Sequence, residues 1–186
     1  MKPLPRALAL SVMIAGSWNA QAVDYRQVHR DQSAVTFTYQ QMGVTMEGAF
    51  GEWAADLRFD PDQPTAAQVT VDVDLAGIDT GSAEGDAEVA GKVWLNTPAF
   101  PTGRFVAKSV KPLGDHRYEV TGALTIKGRT HDITTPVSFT PNGKSGSFDG
   151  VFAIKRSDYG IGEGQWADVG IVADEIRIKF HIVAGQ

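Results

Sequence analysis

The residues whose chemistry could support catalysis are few and widely spaced in this sequence. The four histidines, His29, His116, His131 and His181, do not form an HExxH motif or any other ligand pair on one predicted element. The chain has no cysteine, which excludes disulfides, thiolate nucleophiles, cysteine-rich zinc sites and a lipidated N-terminal cysteine. We therefore expect neither a metal centre nor thiol chemistry.

Clustered carboxylates occur twice. Asp72 and Asp74 fall on the same face of a predicted strand, where solvent accounts for them. Glu84, Asp86 and Glu88 are spaced as a solvated helix face, and a calcium loop would need a longer series of oxygen ligands with a defined glycine. Neither group predicts a carboxylate pair for acid and base catalysis.

Two glycine-rich segments resemble nucleotide or hydrolase motifs only superficially. No helical pattern and no P-loop lysine follow residues 160–164, so a connection within a β-hairpin is the better interpretation. Residues 143–147 contain serine within a turn, without the strand-to-helix context of a nucleophile elbow. The sequence gives no positive argument for an enzyme.

Composition and charge narrow the class of partner. The chain has 186 residues, the length of one ordinary domain, with 17 basic and 22 acidic side chains. A net charge of -5 gives no footprint for a phosphate backbone, so we expect no binding to nucleic acid.

The first 22 residues have the layout of a secretory signal. Lys2 and Arg6 precede an apolar run over residues 7–16, and Ala20 and Ala22 offer small side chains to a peptidase. We expect a signal peptide at residues 1–22, cleavage after Ala22, and a mature domain of residues 23–186. The apolar run is shorter than the roughly 18 residues that a membrane anchor needs. These features predict a soluble, secreted protein, most simply located in a bacterial periplasm.

Alternation of apolar and polar residues dominates the rest of the chain and indicates strands with one dry face. The segments with this pattern are 35–39, 50–59, 69–75, 105–110, 118–126, 133–139, 148–154 and 176–182. About eight antiparallel strands are therefore expected, in an all-β fold. The pattern alone leaves a sandwich and a closed barrel open.

A single segment, between Asp79 and Pro98, departs from this alternation. Ser82 is suited to cap a helix, and acidic residues occupy the first turn that would follow. We expect one short helix or helical loop, held by tertiary contacts of Val89, Val93, Trp94 and Leu95, which would cap one end of a barrel.

Bulky apolar side chains are plentiful on the predicted inward faces. In a soluble eight-stranded barrel, such side chains either fill the interior or leave room for one small ligand. The candidate ligand-binding residues are Val35, Phe37, Phe50, Trp53, Val71, Val73, Trp94, Phe105, Leu124, Ile126, Phe139, Phe152, Ile178 and Phe180.

Several ordered pieces of the chain resemble the YceI-like family of small secreted bacterial proteins. The pieces are Ser33-Ala34-Val35-Thr36-Phe37, Gly48-Ala49-Phe50, Leu57-Arg58-Phe59-Asp60-Pro61, Ile78-Asp79-Thr80, Phe105, Gly122-Ala123-Leu124-Thr125-Ile126-Lys127-Gly128 and Arg156-Ser157-Asp158-Tyr159-Gly160-Ile161-Gly162. This resemblance implies an antiparallel, lipocalin-like barrel over residues 23–186.

The same resemblance implies a function. Some family members bind polyisoprenoids or isoprenoid quinones, so it implies a non-covalent isoprenoid lipid or quinone in the cavity, for transport, storage or protection, and no covalent cofactor. Two alternatives stay open: an accessory partner of a membrane b-type cytochrome in quinone-linked redox or stress response, with a filled barrel, and an enzyme acting on a lipid in the same cavity. A buried Arg156–Asp158 pair beside the ligand would favour the enzyme. A homodimer also stays open.

Overall fold

A computed structural model describes residues 24–186, so the predicted signal peptide lies outside the described residues. The described chain forms one antiparallel sheet of eleven strand segments and one α-helix, α1 (Ala83–Ala90). The strands are β1 (Gln27–Val28), β2 (Ala34–Gln41), β3 (Val44–Phe50), β4 (Trp53–Arg58), β5 (Gln68–Asp74), β6 (Ile78–Asp79), β7 (Thr102–Gly114), β8 (Arg117–Ile126), β9 (Arg129–Asn142), β10 (Ser145–Lys155) and β11 (Glu175–Gly185).

The sheet curls into a barrel because β3, close to one end of the strand order, continues directly into β4 at the other end. The strand order is β4-β5-β7-β8-β9-β10-β11-β2-β3-β6, and the chain passes directly from β3 to β4 through Gly51 and Glu52. A bridge between Tyr25 and Phe59 adds a second link, with N···O distances of 2.8 and 3.1 Å. An all-β barrel was the expected fold, and the structure confirms it.

Short interruptions explain why eight predicted strands become eleven segments. The pairs β1 and β2, β3 and β4, and β5 and β6 each follow one another closely along the barrel wall, leaving eight long ribbons. The prediction of a single strand over residues 50–59 is wrong, since the chain bends at Gly51 and Glu52, where the Gly51 N–H donates to the Gly77 carbonyl. Most of β3 is exposed, so it lacks the dry face that alternation detects.

The helix is located where its cap predicts. The Ser82 hydroxyl accepts a hydrogen bond from the Gly85 N–H at 3.1 Å, as expected of an N-cap. No residue of α1 is buried, but Trp94 and Leu95 just beyond it are. The Val93 side chain is 39% exposed, and the tertiary contacts of Val93 are made by its carbonyl, which accepts hydrogen bonds from Gly162 N and Glu163 N at 2.9 Å. The segment lies across one end of the barrel.

Four glycines on the barrel wall make room for phenylalanine rings. Each of these rings lies across the backbone of a glycine on the neighbouring strand, in the pairs Phe37 with Gly48, Phe105 with Gly122, Phe139 with Gly146, and Phe180 with Gly150. A ring of this kind covers a stretch of strand that has no side chain of its own.

We predict that Gly122→Ala destabilises the barrel by about 2 kcal/mol through overpacking. The added Cβ would overlap the Phe105 ring and lie 2.6 Å from the Val106 carbonyl oxygen. Gly51→Ala is the control, because its nearest heavy atom would lie at an ordinary 3.5 Å. Urea unfolding measures both changes, and equal stabilities of the two variants would contradict the packing argument.

Candidate functional site

The barrel encloses an apolar cavity of about 180 Å³, which we call the inner cavity. Among its lining side chains only Tyr118 and Thr135 carry a polar atom, and the Thr135 hydroxyl already bonds to the Val151 carbonyl at 3.3 Å. A cavity of about 150 Å³ lined by hydrocarbon stays dry and accepts small apolar ligands. The inner cavity is therefore suited to hydrocarbon and not to water.

A second, larger cavity of about 580 Å³ lies at the helix end of the barrel, and we call it the mouth cavity. The two cavities share four lining residues, Phe50, Leu75, Ile126 and Ile178, so they lie next to each other along the barrel. Charged side chains such as Glu47 and Glu88 line only the mouth cavity, and so do most of the polar ones, such as Thr80. The lining thus changes from apolar to more polar along the barrel axis.

Aromatic rings close the opposite end. The ring of Phe59 lies 5.1 Å from Phe148, 5.2 Å from Phe139 and 5.3 Å from Tyr118, measured between centroids, and Tyr25 lies 5.0 Å from Phe139. These separations are typical of packed aromatic clusters. Within the described residues, this plug forms the closed end and the mouth cavity the open end.

Twelve of the fourteen predicted ligand-binding residues line these two cavities. Ten line the inner cavity: Val35, Phe50, Val71, Val73, Phe105, Leu124, Ile126, Phe152, Ile178 and Phe180. Two more, Phe37 and Trp94, line the mouth cavity. The structure therefore brings these residues together around two neighbouring cavities.

Trp53 and Phe139 line neither cavity. Phe139 packs 4.8 Å from Phe148 in the aromatic plug, behind the rings that face the cavity. Trp53 is buried under the guanidinium of Arg30, which lies 4.3 Å from its ring centroid. Alternation places both side chains on the inner face but does not show where along the axis a neighbouring group covers them.

Small residues of the wall were missed, although they create the room. Ala55, Ala67 and Gly103 line the inner cavity, where larger side chains would fill it. A search for bulky apolar residues overlooks them because a cavity forms where the inward side chains are small. The available signal was that Ala55 shares its strand face with Leu57, two residues along the chain.

At the mouth, one carboxylate holds two tryptophans. Glu88 Oε1 of α1 accepts hydrogen bonds from the indole N–H of Trp94 at 3.3 Å and of Trp166 at 2.8 Å, and the two ring centroids lie 5.4 Å apart. Asp86 similarly accepts from Thr80 N and Oγ1 at 2.7 and 2.8 Å. Asp86 is half-buried, so the prediction of a solvated helix face is wrong for Asp86, whereas Glu84 and Glu88 are exposed as that prediction requires.

The long connection between β10 and β11 is anchored by a buried cation. Arg156 is 2% exposed, and its five N–H groups donate to backbone carbonyls at 2.7–3.2 Å. The accepting carbonyls belong to Ile161, Gly162, Trp166, Val172 and Ala173. Because all five donors are occupied, Arg156 supports the loop beside the mouth cavity and has no free donor for a ligand.

The charge near Arg156 comes from Asp174 and not from Asp158. Burial lowers the pKa of the Arg156 guanidinium, and the Asp174 carboxylate opposes that effect. Asp158 is exposed, so the buried Arg156–Asp158 pair that would have favoured an enzyme does not form. Asp174 instead binds Ser157 N and Oγ at 3.0 and 2.9 Å, which joins the two ends of the loop.

The sequence model of the YceI-like domain family matches residues 27–184, which is nearly the whole barrel. The chain belongs to the YceI-like family. Among its relatives, a UPF0312 protein of Pseudomonas syringae pv. tomato is 30% identical over 93% of this chain and 96% of its own length. The crystal structure of BcnA from Burkholderia cenocepacia is 41% identical, with a TM-score of 0.83 over 85% of this chain and 99% of BcnA.

More distant structures share the fold. A polyisoprenoid-binding domain from Saccharophagus degradans matches with a TM-score of 0.64 at 11% identity, over 89% of this chain and 99% of that domain. This YceI-like barrel thus keeps its architecture while its side chains diverge.

No group of three or more metal-ligating side chains occurs among residues 24–186 of the YceI-like chain. Across the same residues, no helix combines the length and apolarity needed to cross a bilayer.

We predict that Arg156→Met lowers the free energy of unfolding by roughly 3 kcal/mol, because five loop carbonyls, all buried or partly buried, lose their donor. Hydrogen exchange should show faster exchange across residues 161–172. Arg177→Met is the matched control, since Arg177 is an exposed arginine that bonds only to Glu175 among the described side chains. Similar losses in both variants would contradict the anchoring role.

Tyr159 buries a hydroxyl that lacks a partner among the described residues. The side chain is 1% exposed, and burial, followed by the nearby charge of Asp158, raises its pKa to about 12 from 10.0. Because the pKa is higher in the folded than in the unfolded protein, the fold favours the neutral phenol over the phenolate. The stability that depends on keeping this proton is complete below pH 10 and is lost as the pH rises through about 12.

We predict that Tyr159→Phe stabilises the protein by about 1 kcal/mol at pH 7, because it removes an unpaired buried hydroxyl. The variant should also lose the part of alkaline destabilisation that falls between pH 10 and about 12. Urea unfolding at a series of pH values measures both effects. A loss of stability at pH 7 would instead mean that the hydroxyl has a partner.

Proposed function

We propose that this YceI-like protein binds a long isoprenoid lipid, either a polyprenyl lipid or an isoprenoid quinone, inside the barrel. The observation that carries the proposal is an apolar inner cavity that lies directly beside a more polar mouth cavity. A molecule with an apolar chain and a polar head matches that order. The fold shared with a polyisoprenoid-binding domain supports the same ligand class.

The size and the energetics of the space agree with a carrier. The mouth cavity, at about 580 Å³, falls in the range of roughly 300–1,000 Å³ that is typical of ligand sites. Moving about 40 carbons out of water would release roughly 30 kcal/mol, above the practical ceiling of about 20 kcal/mol for non-covalent binding. Such a lipid resides in a membrane, where its chain is already dry, so we expect a modest net affinity set by fit and head-group contacts.

The proposed setting is the periplasm, where the protein would transport, store or protect the lipid. The secretory layout of residues 1–22 supports this location. Assistance to a membrane b-type cytochrome would be one use of a carried quinone. A version of that role with a filled barrel has less support, because the interior holds two cavities.

Native mass spectrometry of the exported protein, purified without detergent, tests the proposal. We expect a stoichiometric hydrophobic adduct, and organic extraction after denaturation should release a lipid with isoprenoid mass spacing. An apo mass that persists after incubation with ubiquinone would overturn the proposal.

Two adjacent alanines of β4 offer a matched pair of variants. Ala55 is half-buried and lines the inner cavity, whereas Ala54 is exposed on the opposite face. We predict that Ala55→Phe occupies the cavity and lowers lipid content at least about tenfold, which corresponds to about 1.4 kcal/mol. Ala54→Phe should retain the wild-type lipid content.

We expect Ala55→Phe and Ala54→Phe to have similar thermal stability, because the new side chain of Ala55→Phe enters an empty cavity and breaks no existing contact. Organic extraction followed by mass spectrometry gives the lipid per protein. Equal lipid content in the two variants would place any bound lipid outside the inner cavity.

A further inference from the structure

Exposed apolar side chains concentrate at the open end of the barrel. Of nine large apolar residues that are exposed in the described chain, five lie on two neighbouring segments of that end. We call these five residues the apolar rim: Met42, Val44, Met46, Val169 and Ile171. Their exposed fractions reach 73% at Met42, 60% at Val44 and 57% at Val169. Contiguous exposed apolar surface of this kind marks an interaction site more often than chance.

The two segments of the apolar rim are held together by backbone hydrogen bonds. Met42 N donates to the Ile171 carbonyl at 2.8 Å, and Ala173 N donates to the Gln40 carbonyl at 2.9 Å. At the hairpin tip, Met42 and Gly43 have φ values of 49° and 77°. This pair of positive angles fits the tight two-residue turn that joins β2 to β3 and directs Met42 into solvent. The apolar rim is therefore a fixed feature of the fold.

The composition of the apolar rim favours a lipid surface. Neither residues 42–46 nor residues 169–173 contain a charged side chain, and the charged residues that flank the two segments along the chain, Glu47, Asp168 and Asp174, are all acidic. The chain as a whole carries a net charge of -5. Electrostatic attraction to anionic lipid is therefore not available, and any membrane binding must come from apolar burial.

The apolar rim borders the mouth of the ligand space. Met46 itself lines the mouth cavity, and so does Val172, the residue after Ile171. The apolar surface thus continues from the outside of the barrel into the cavity. Residues 42–46 and 169–173 form two narrow projections, which suit insertion between lipid head groups. A stable protein partner would instead cover a broad face of about 800 Å².

We propose that the apolar rim docks the open end of the barrel onto a lipid bilayer. The five side chains enter the boundary between head groups and acyl chains, with the mouth cavity facing the membrane. An isoprenoid then moves between bilayer and barrel without its chain crossing water. This docking role rests on the proposed function, since it presumes a membrane-resident ligand.

The test is sedimentation of the exported protein with phosphatidylcholine vesicles. We predict that Val44→Glu and Ile171→Glu each lower vesicle binding at least about tenfold, because a carboxylate would have to enter the bilayer boundary. Raising the salt concentration should leave wild-type binding unchanged. Neither residue lines a cavity, so both variants keep the ligand space intact.

Leu113→Glu is the matched control. Leu113 is 45% exposed and lies beside the turn between β7 and β8, near the aromatic plug at the closed end. It has the same chemistry as the apolar rim but faces away from the mouth. Vesicle binding by this variant should equal that of the wild-type protein, and a loss as large as that of Val44→Glu would overturn the docking proposal.

Uptake of ubiquinone from detergent micelles separates this proposal from the proposed function. If the apolar rim variants take up ubiquinone from micelles but not from vesicles, docking is supported. If they take it up equally from both sources, docking is overturned while ligand binding stands. If no form of the protein takes up ubiquinone from micelles, ligand binding itself fails. A change of oligomeric state in Val44→Glu, measured by sedimentation velocity, with vesicle binding unaltered, would assign the apolar rim to a second copy of the chain and overturn the bilayer proposal.

Discussion

The two-residue period of the strands determines which side chains meet inside this barrel, and the rest of the site depends on that constraint. In β8 every second residue from Tyr118 to Ile126 is buried, and the same register continues around the wall. The inward set is nearly all hydrocarbon, yet Ala55, Ala67 and Gly103 are too small to fill the centre. Protein interiors are normally close-packed. In this barrel the wall is closed but the centre is not filled by side chains, so the unfilled volume lies where a ligand can occupy it.

Arg156 solves a different problem, which is how to fix a 19-residue connection over an open end. Such a loop has little hydrophobic core of its own, so its carbonyls need donors. A guanidinium offers five donors in a rigid plane, and here each one reaches a carbonyl of the loop. Lysine has three donors in another geometry and could not replace it. Burying the cation is costly, and the converging carbonyl dipoles together with Asp174 offset that cost.

Sequence periodicity was sufficient for the all-β class and for most of the cavity wall, whereas the choice of a barrel over a sandwich came from the resemblance to the YceI-like family. Alternation found Phe105, Leu124 and Ile178 because inward position follows from local pattern. It failed for Phe139 and Trp53, where a partner distant in sequence decides whether an inward ring meets the cavity or a neighbour. It also gave no sign of the bond from Glu88 to Trp166, which spans 78 residues. Long-range pairs of this type leave no local signal, because the two partners are brought together only by the fold.

The two ends of the barrel are held by different kinds of interaction, and this difference bears on how a ligand enters. Five aromatic rings pack the closed end, so opening it would expose much apolar surface at once. At the open end, α1 buries none of its own residues and is joined to the β10–β11 connection through Glu88 and the two indoles. Few apolar contacts and exposed hydrogen bonds characterise the segments that open most readily. Motion is therefore expected at the α1 end, beside the apolar rim, while the plug keeps the inner cavity dry.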